Sequence, residues 1–124
     1  QRLGELNIGG IATPLVVGDW VFVVTDKSQL LAITRTTGKI RWISDLPAWR
    51  KPKKKTGPIR WRGPVLAGGE LILVSTEGAM AFVDPATGNV QQERDLDQSI
   101  SLPPIVADNM LYVLTDEGRI LAYR

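Results

Sequence analysis

An all-β fold of repeated four-stranded antiparallel sheets is the class this sequence predicts. Three observations carry it: a set of turn and strand signals that recurs along the chain, four short apolar runs within each recurrence, and no stretch with helical apolar spacing. The first unit reads Pro14-Leu-Val-Val-Gly18, the apolar run Trp20 to Thr25, then Leu30-Leu-Ala-Ile33 and Thr37-Gly38-Lys-Ile-Arg-Trp42. The second keeps that order from Pro64, with Gly68, Leu71-Ile-Leu-Val-Ser75, Glu77-Gly78, Met80-Ala-Phe-Val-Asp84 and Ala86-Thr87-Gly88. The third has Pro104, Leu111-Tyr-Val-Leu-Thr115, Asp116-Glu-Gly118 and Ile120-Leu-Ala-Tyr123. An offset of 50 carries Pro14 onto Pro64 and Gly38 onto Gly88, and an offset of 40 carries Pro64 onto Pro104 and Gly78 onto Gly118.

Each element follows from local chemistry. In the first unit the strands are expected over 12–16, 20–25, 29–34 and 39–44, rich in Val, Ile, Leu and aromatic residues that suit a pleated surface. The breaks carry Gly18-Asp19, Asp26-Lys27-Ser28 and Thr36-Thr37-Gly38, residues that tolerate turn geometry. Four antiparallel strands every ~40 residues is the pattern of a β-propeller blade. A two-sheet sandwich gives no reason for a recurring sequence. The expected division is a tail of a preceding blade at 1–10, a blade at 11–46, a basic loop insertion at 47–63, a blade at 64–100 and an incomplete last blade at 101–124. Leu6 stands 8 residues before Pro14, as Leu96 does before Pro104, which marks the tail. The third unit stops before any Thr-Gly turn, as expected where a strand from elsewhere in a ring completes the last blade. Open sheet edges in such a piece favour self-association.

Composition narrows the chemistry. The 124 residues are 44% hydrophobic and 23% charged, with a net charge of +2, as in an ordinary globular domain. With no His and no Cys, common zinc sites, thiol nucleophiles, disulfides and imidazole acid–base catalysis are excluded from this chain. Ser28, Ser44, Ser75, Ser99 and Ser101 therefore have no His to activate them. Asp26, Asp108, Asp116 and Glu117 fall at turns, and Asp95 and Asp97 near a strand end, so they read as solvated turn residues rather than calcium ligands. The glycines fall in hairpin turns, not in a phosphate-cradling loop ahead of a helix. No apolar run approaches the ~20 residues of a membrane-spanning helix. The chain begins at Gln1 without a signal peptide, as expected of a cut or processed product. Neither catalysis nor a cofactor is indicated.

The positive charge is localised. Residues 47–63 hold seven basic residues (Arg50, Lys51, Lys53, Lys54, Lys55, Arg60 and Arg62) and no acidic one. Outside that segment eight basic residues face 13 acidic ones, a balance of −5. Three prolines and two glycines predict an exposed extended loop rather than added sheet. Lys and Arg concentrated there can attract an acidic protein surface, anionic headgroups or nucleic acid, with Trp49 as an anchor. Nucleic acid fits least, because the run is short and lacks interleaved stacking aromatics. A solvated loop kept soluble by its charges is the alternative reading. Trp61, beside the next blade, reads as structural.

Residues 32–42, Ala-Ile-Thr-Arg-Thr-Thr37-Gly38-Lys-Ile-Arg-Trp42, are similar to the Ala-x-Asp-x-x-Thr-Gly-x-x-x-Trp motif of PQQ-like propeller repeats, and Phe82-Val-Asp84-Pro-Ala-Thr87-Gly88 is a second copy. The departures are Thr34 in place of Asp and Gln92 in place of Trp. Within that superfamily the chain most resembles the C-terminal blades of BamB-type proteins, and residues 57–68, with Gly57-Pro-Ile-Arg-Trp61 and Gly63-Pro64, look like their alphaproteobacterial form. The resemblance implies an eight-bladed, periplasmic, lipid-anchored scaffold of outer-membrane β-barrel assembly that holds BamA-like protein partners and needs no cofactor. The alternative it carries is a fragment of a quinoprotein dehydrogenase, which would hold PQQ and calcium. The motif residues Thr37, Gly38, Trp42, Thr87 and Gly88 read as structural. The two glycines free a tight turn, and the Trp offers a flat surface with one N–H donor for docking between blades.

Overall fold

A computed structural model describes residues 14–51 and 56–123. The expected tail at 1–10, the first residues of the blade that follows it, and Arg124 lie outside the described residues. Among those described, every regular element is a strand. The first sheet is β1 (Leu15–Val17), β2 (Trp20–Val24), β3 (Gln29–Thr34) and β4 (Ile40–Asp45), hydrogen-bonded in that order. A two-stranded hairpin follows, β5 (Trp49–Lys51) with β6 (Thr56–Pro58). The second sheet is β7 (Trp61–Ala67), β8 (Glu70–Ser75), β9 (Ala79–Val83) and β10 (Val90–Asp95). The third has β11 (Ile105–Ala107), β12 (Met110–Leu114) and β13 (Ile120–Tyr123). Every pairing within the three sheets is antiparallel, in the up-and-down order of a propeller blade.

Burial explains why the middle strands are almost wholly apolar. β3 and β8 are buried on both faces, because each sheet is covered by a neighbour or carries a second cluster on its reverse. The outermost strand of the second sheet, β10, is exposed along its full length, and its sequence Val-Gln-Gln-Glu-Arg-Asp is correspondingly polar. Phe22, Val24, Leu30 and Ala32 meet Leu71, Leu73, Ala81 and Val83 between the first two sheets. Ile72, Val74 and Met80 meet Leu111 and Val113 between the second and third. The period of two along each strand thus hands alternate side chains to successive seams. Truncating a side chain as enclosed as Leu73 costs about 3 kcal/mol.

The repeat extends to single hydrogen bonds. The β2–β3, β8–β9 and β12–β13 turns each begin with a buried hydroxyl residue: Thr25, Ser75 and Thr115. Thr25 Oγ1 accepts from the Lys27 and Gln29 amides at 3.2 and 3.3 Å. Ser75 Oγ accepts from Glu77 and Ala79 at 3.2 and 3.0 Å, and Thr115 Oγ1 from Arg119 at 3.0 Å. A short side chain that satisfies turn amides in the interior stands where an aliphatic residue would leave them unpaired. β4 and β10 also share a bulge: Ala32 pairs with Trp42 and Ile33 with Ile40, while Phe82 pairs with Gln92 and Val83 with Val90. The surplus residues, Arg41 and Gln91, are 50 positions apart.

One expectation needs correction. Segment 47–63 is not an unbroken loop: it contains the β5–β6 hairpin, and its last residues, Trp61 to Gly63, open the first strand of the next blade. Its prolines permit this because Pro58 ends an edge strand, where a missing N–H does little harm. The first strand begins at Leu15, and the expected residues 12 and 13 fall outside the described ones.

Candidate functional site

The basic segment is fastened at its base to both flanking sheets. The Ile59 amide donates to the Ala48 carbonyl at 2.8 Å, and Ser28 Oγ donates to the Ile59 carbonyl at 3.0 Å. The Trp61 indole, 3% exposed, donates to the Pro47 carbonyl at 2.8 Å. Buried indoles need such a partner, so Trp61 closes the hairpin's two stems together. Arg60 Nη1 donates to the Asp26 carbonyl at 2.7 Å in the β2–β3 turn. Arg62 Nε donates to the Ser101 carbonyl at 2.9 Å, just ahead of the third sheet. These two cations therefore tie neighbouring blades together, a geometry that sequence spacing did not reveal. Trp49, Arg50 and Lys51 lie on β5. Lys53, Lys54 and Lys55 lie outside the described residues.

Trp42 and Gly88 meet at the seam between the first two sheets. Trp42, half-buried on β4, donates its indole N–H to the Pro85 carbonyl at 3.0 Å across the seam. Its ring centroid lies 6.0 Å from that of Phe22, which stacks on Trp20 at 6.2 Å and 9°. Trp42 also lies on Gly88, where a Cβ would fall 2.5 Å from Trp42 Cε3. Gly88 has a φ of +81° and its amide donates to the Asp84 carbonyl at 2.8 Å. Gly38 repeats that turn, with its amide on the Thr34 carbonyl at 2.7 Å. Thr37 and Thr87 each turn Oγ1 back to the amide two residues on, at Lys39 and Asn89.

The next seam has the same strands and different contents. The positions 50 residues after Trp20, Phe22 and Trp42 are Glu70, Ile72 and Gln92. A cavity of about 480 Å³ opens there, between the second and third sheets. Phe82, Leu111, Val106 and Tyr123 form its apolar wall, with Arg94, Glu70 and Asn109 as its polar groups. The Arg94 guanidinium lies over Phe82, 5.6 Å from the ring centroid. Sequence reading found the Gln92 departure but not the cavity, because the cavity depends on Phe82, Arg94 and Tyr123 converging from three strands.

Among the described residues no group of three or more Asp or Glu is placed to hold a metal ion. Asp84, Asp95 and Asp19 are each engaged with backbone amides of their own turns or of a neighbouring one. Among the described residues no helix is long and apolar enough to cross a membrane.

Successive antiparallel sheets, two of them four-stranded, with the Thr87-Gly88 turn docked by Trp42, define the class: a β-propeller of PQQ-like repeats. The sequence profile described as "Outer membrane protein assembly factor BamB" matches residues 1–44 and 45–124. The chain belongs to that family. Its similarity to the outer membrane protein assembly factor BamB of Alkalilimnicola ehrlichii is 32% identity over 105 residues, covering 84% of this chain and 25% of that protein. The chain thus spans about a quarter of the length of the curated relatives it matches. The crystal structure of BamB from Moraxella catarrhalis superposes with a TM-score of 0.62 at 19% identity, over 85% of this chain and 30% of that one. Quinohemoprotein alcohol dehydrogenase from Comamonas testosteroni superposes with a TM-score of 0.71 at 24% identity, over 94% and 19%. At those identities the two structures speak for the blade fold alone.

Proposed function

We propose that these blades belong to a non-catalytic, protein-binding propeller that serves outer-membrane β-barrel assembly from the periplasmic side, its parent held at the membrane by a lipid anchor. Membership of the BamB family supports the setting. One observation supports the mechanism: a hairpin with a strongly basic sequence is fixed between two blades by Trp61, Ser28 and Arg60. The blades give the segment a rigid base, and Trp49, Arg50, Lys51, Lys53, Lys54 and Lys55 are the residues expected to meet an acidic surface of a protein partner in the assembly complex. Arg60 and Arg62 serve chiefly as ties between blades and keep that presentation rigid.

The test is a pull-down of the complete protein from envelope extracts, in parallel with a variant in which Arg50, Lys51, Lys53, Lys54 and Lys55 are replaced by Gln. The wild type is expected to recover barrel-assembly components, with recovery falling as salt rises through 0.1–0.3 M, and the variant to lose about tenfold in affinity. Equal recovery by the variant at low salt removes the hairpin from the interface. Recovery of no assembly component, together with dye reduction when PQQ is supplied, replaces the scaffold by an enzyme.

A further inference from the structure

We infer that the notch between the β2–β3 turn and the base of the basic hairpin binds an Asp or Glu carboxylate of a partner protein, with Lys27 and Arg60 as its cations. The inference rests on the protein-binding role proposed for the hairpin and adds a defined site to it. A space of about 290 Å³ opens there, lined by Asp26, Lys27, Ala48, Pro58 and Arg60. Two cations and one anion thus share a recess made by two separate elements. Among the described residues neither cation is paired with a carboxylate.

The three equivalent turns identify the charge of the occupant. Offsets of 50 and 40 carry Lys27 onto Glu77 and Glu117, and Ser28 onto Gly78 and Gly118. The turn that holds the basic hairpin therefore carries a base where the other two carry an acid. An acid would offset the hairpin's charge, whereas Lys27 adds to it. Like charges gathered in one place raise the energy of the free protein, and an anion bound among them lowers it. Ser28 is the second departure. Its φ is +61°, in the left-handed region that Gly78 and Gly118 occupy at +88° and +87°. Glycine adopts that backbone freely, but serine adopts it under strain. The strained residue is buried and donates Oγ to the Ile59 carbonyl at 3.0 Å, which fixes the hairpin stem against the turn. Arg60 is set from both sides. Its amide donates to Thr76 Oγ1 at 3.2 Å, its carbonyl accepts from the Thr76 amide at 2.8 Å, and its Nη1 donates to the Asp26 carbonyl at 2.7 Å. A guanidinium has several further N–H donors, so this tie leaves a positioned group for a carboxylate. With Asp26 included the notch carries one net positive charge. A single carboxylate balances it, whereas a phosphate group, at about −1.5 to −2, overshoots.

The experiment uses the complete protein, labelled with ¹⁵N, and acetylated, amidated tetraglutamate as the probe at low salt. Saturable shifts are expected at the Lys27, Ala48 and Arg60 amides, with a dissociation constant on the order of 1 mM. Inorganic phosphate at matched ionic strength is expected to bind about fivefold more weakly. Lys27→Glu, at an exposed turn position, gives this turn the residue of the other two and should weaken the peptide about tenfold. Asp26→Asn removes the opposing charge, keeps the carbonyl that holds Arg60, and should tighten the peptide about threefold. No saturable shift at those amides, an equal response to phosphate, or an affinity unchanged by Lys27→Glu would each overturn the proposal. The pull-down separates this site from the hairpin: full recovery by Lys27→Glu, beside loss in the hairpin variant, removes the notch and leaves the hairpin. Peptide shifts abolished by Lys27→Glu support the notch even where no assembly component is recovered.

Discussion

Between the first and second sheets the chain supplies three aromatic rings from one blade: Trp20 on Phe22, Phe22 near Trp42, and Trp42 over Gly88 of the next blade. Between the second and third sheets the same backbone positions carry Glu70, Ile72 and Gln92, and an open cavity remains. Fully buried side chains pack at both seams, with Leu71 and Leu73 at one and Val74 and Val113 at the other. Inner packing therefore holds the blades together at both seams, while the outer layer is free to differ. One outer layer is a structural clamp. The other is a surface with room in it.

The largest test of that contrast is at the glycines of the two Thr-Gly turns. Gly38 and Gly88 have nearly the same backbone, at φ +72° and +81°. A Cβ at Gly38 meets nothing within 4 Å, but at Gly88 it falls 2.5 Å from the Trp42 ring. Gly38→Ala should therefore cost only the left-handed backbone penalty, about 1 kcal/mol. Gly88→Ala should add a packing clash and cost about 3 kcal/mol. Urea unfolding of the complete protein measures both. Equal costs would mean that the clamp contributes nothing at its receiving side.

Next in size is Trp42→Gln, which gives the first seam the residue of the second. It removes the contact with Phe22 and the hydrogen bond to the Pro85 carbonyl, and should cost about 2 kcal/mol. In a repeat architecture the loss should be local. Hydrogen exchange is expected to quicken in β4 and in the turn at Asp84 to Gly88, with little change in β12. Uniform quickening would show that the two seams are coupled.

What the sequence made legible follows from what is periodic. Pro14, Pro64 and Pro104, with the Thr-Gly pairs, mark turns that any four-stranded blade must make, and the apolar runs of β2, β3, β8 and β9 are buried on both faces. Thr25, Ser75 and Thr115 were equally periodic, and their role as turn acceptors needed only the question of why a hydroxyl recurs after each apolar run. The hairpin at β5–β6 was hidden because lysines and prolines dominate a segment whose pairing depends on neighbouring blades. Arg60 and Arg62 looked like free cations because their acceptors are backbone carbonyls 34 and 39 residues away. Distant carbonyls leave no trace in side-chain spacing.

The smallest expected effect is also the most discriminating. Gln92→Trp restores the motif residue to the second blade, and a simple transfer of the clamp predicts a gain of about 1 kcal/mol. The cross-strand neighbour argues for less. Trp42 is paired with Ala32, a small residue that leaves room for an indole, whereas Gln92 is paired with Phe82. Large and small have exchanged strands between the two blades, so a second large ring at 92 has to share the seam with Phe82. Gln92→Trp alone should therefore gain no more than about 0.5 kcal/mol, and with Phe82→Leu, which frees part of that space, the pair should be about 1 kcal/mol more stable than the sum of the two single changes. Strict additivity in urea unfolding would mean that Phe82 and residue 92 do not compete, and that the cavity arises from Glu70 and Ile72 instead.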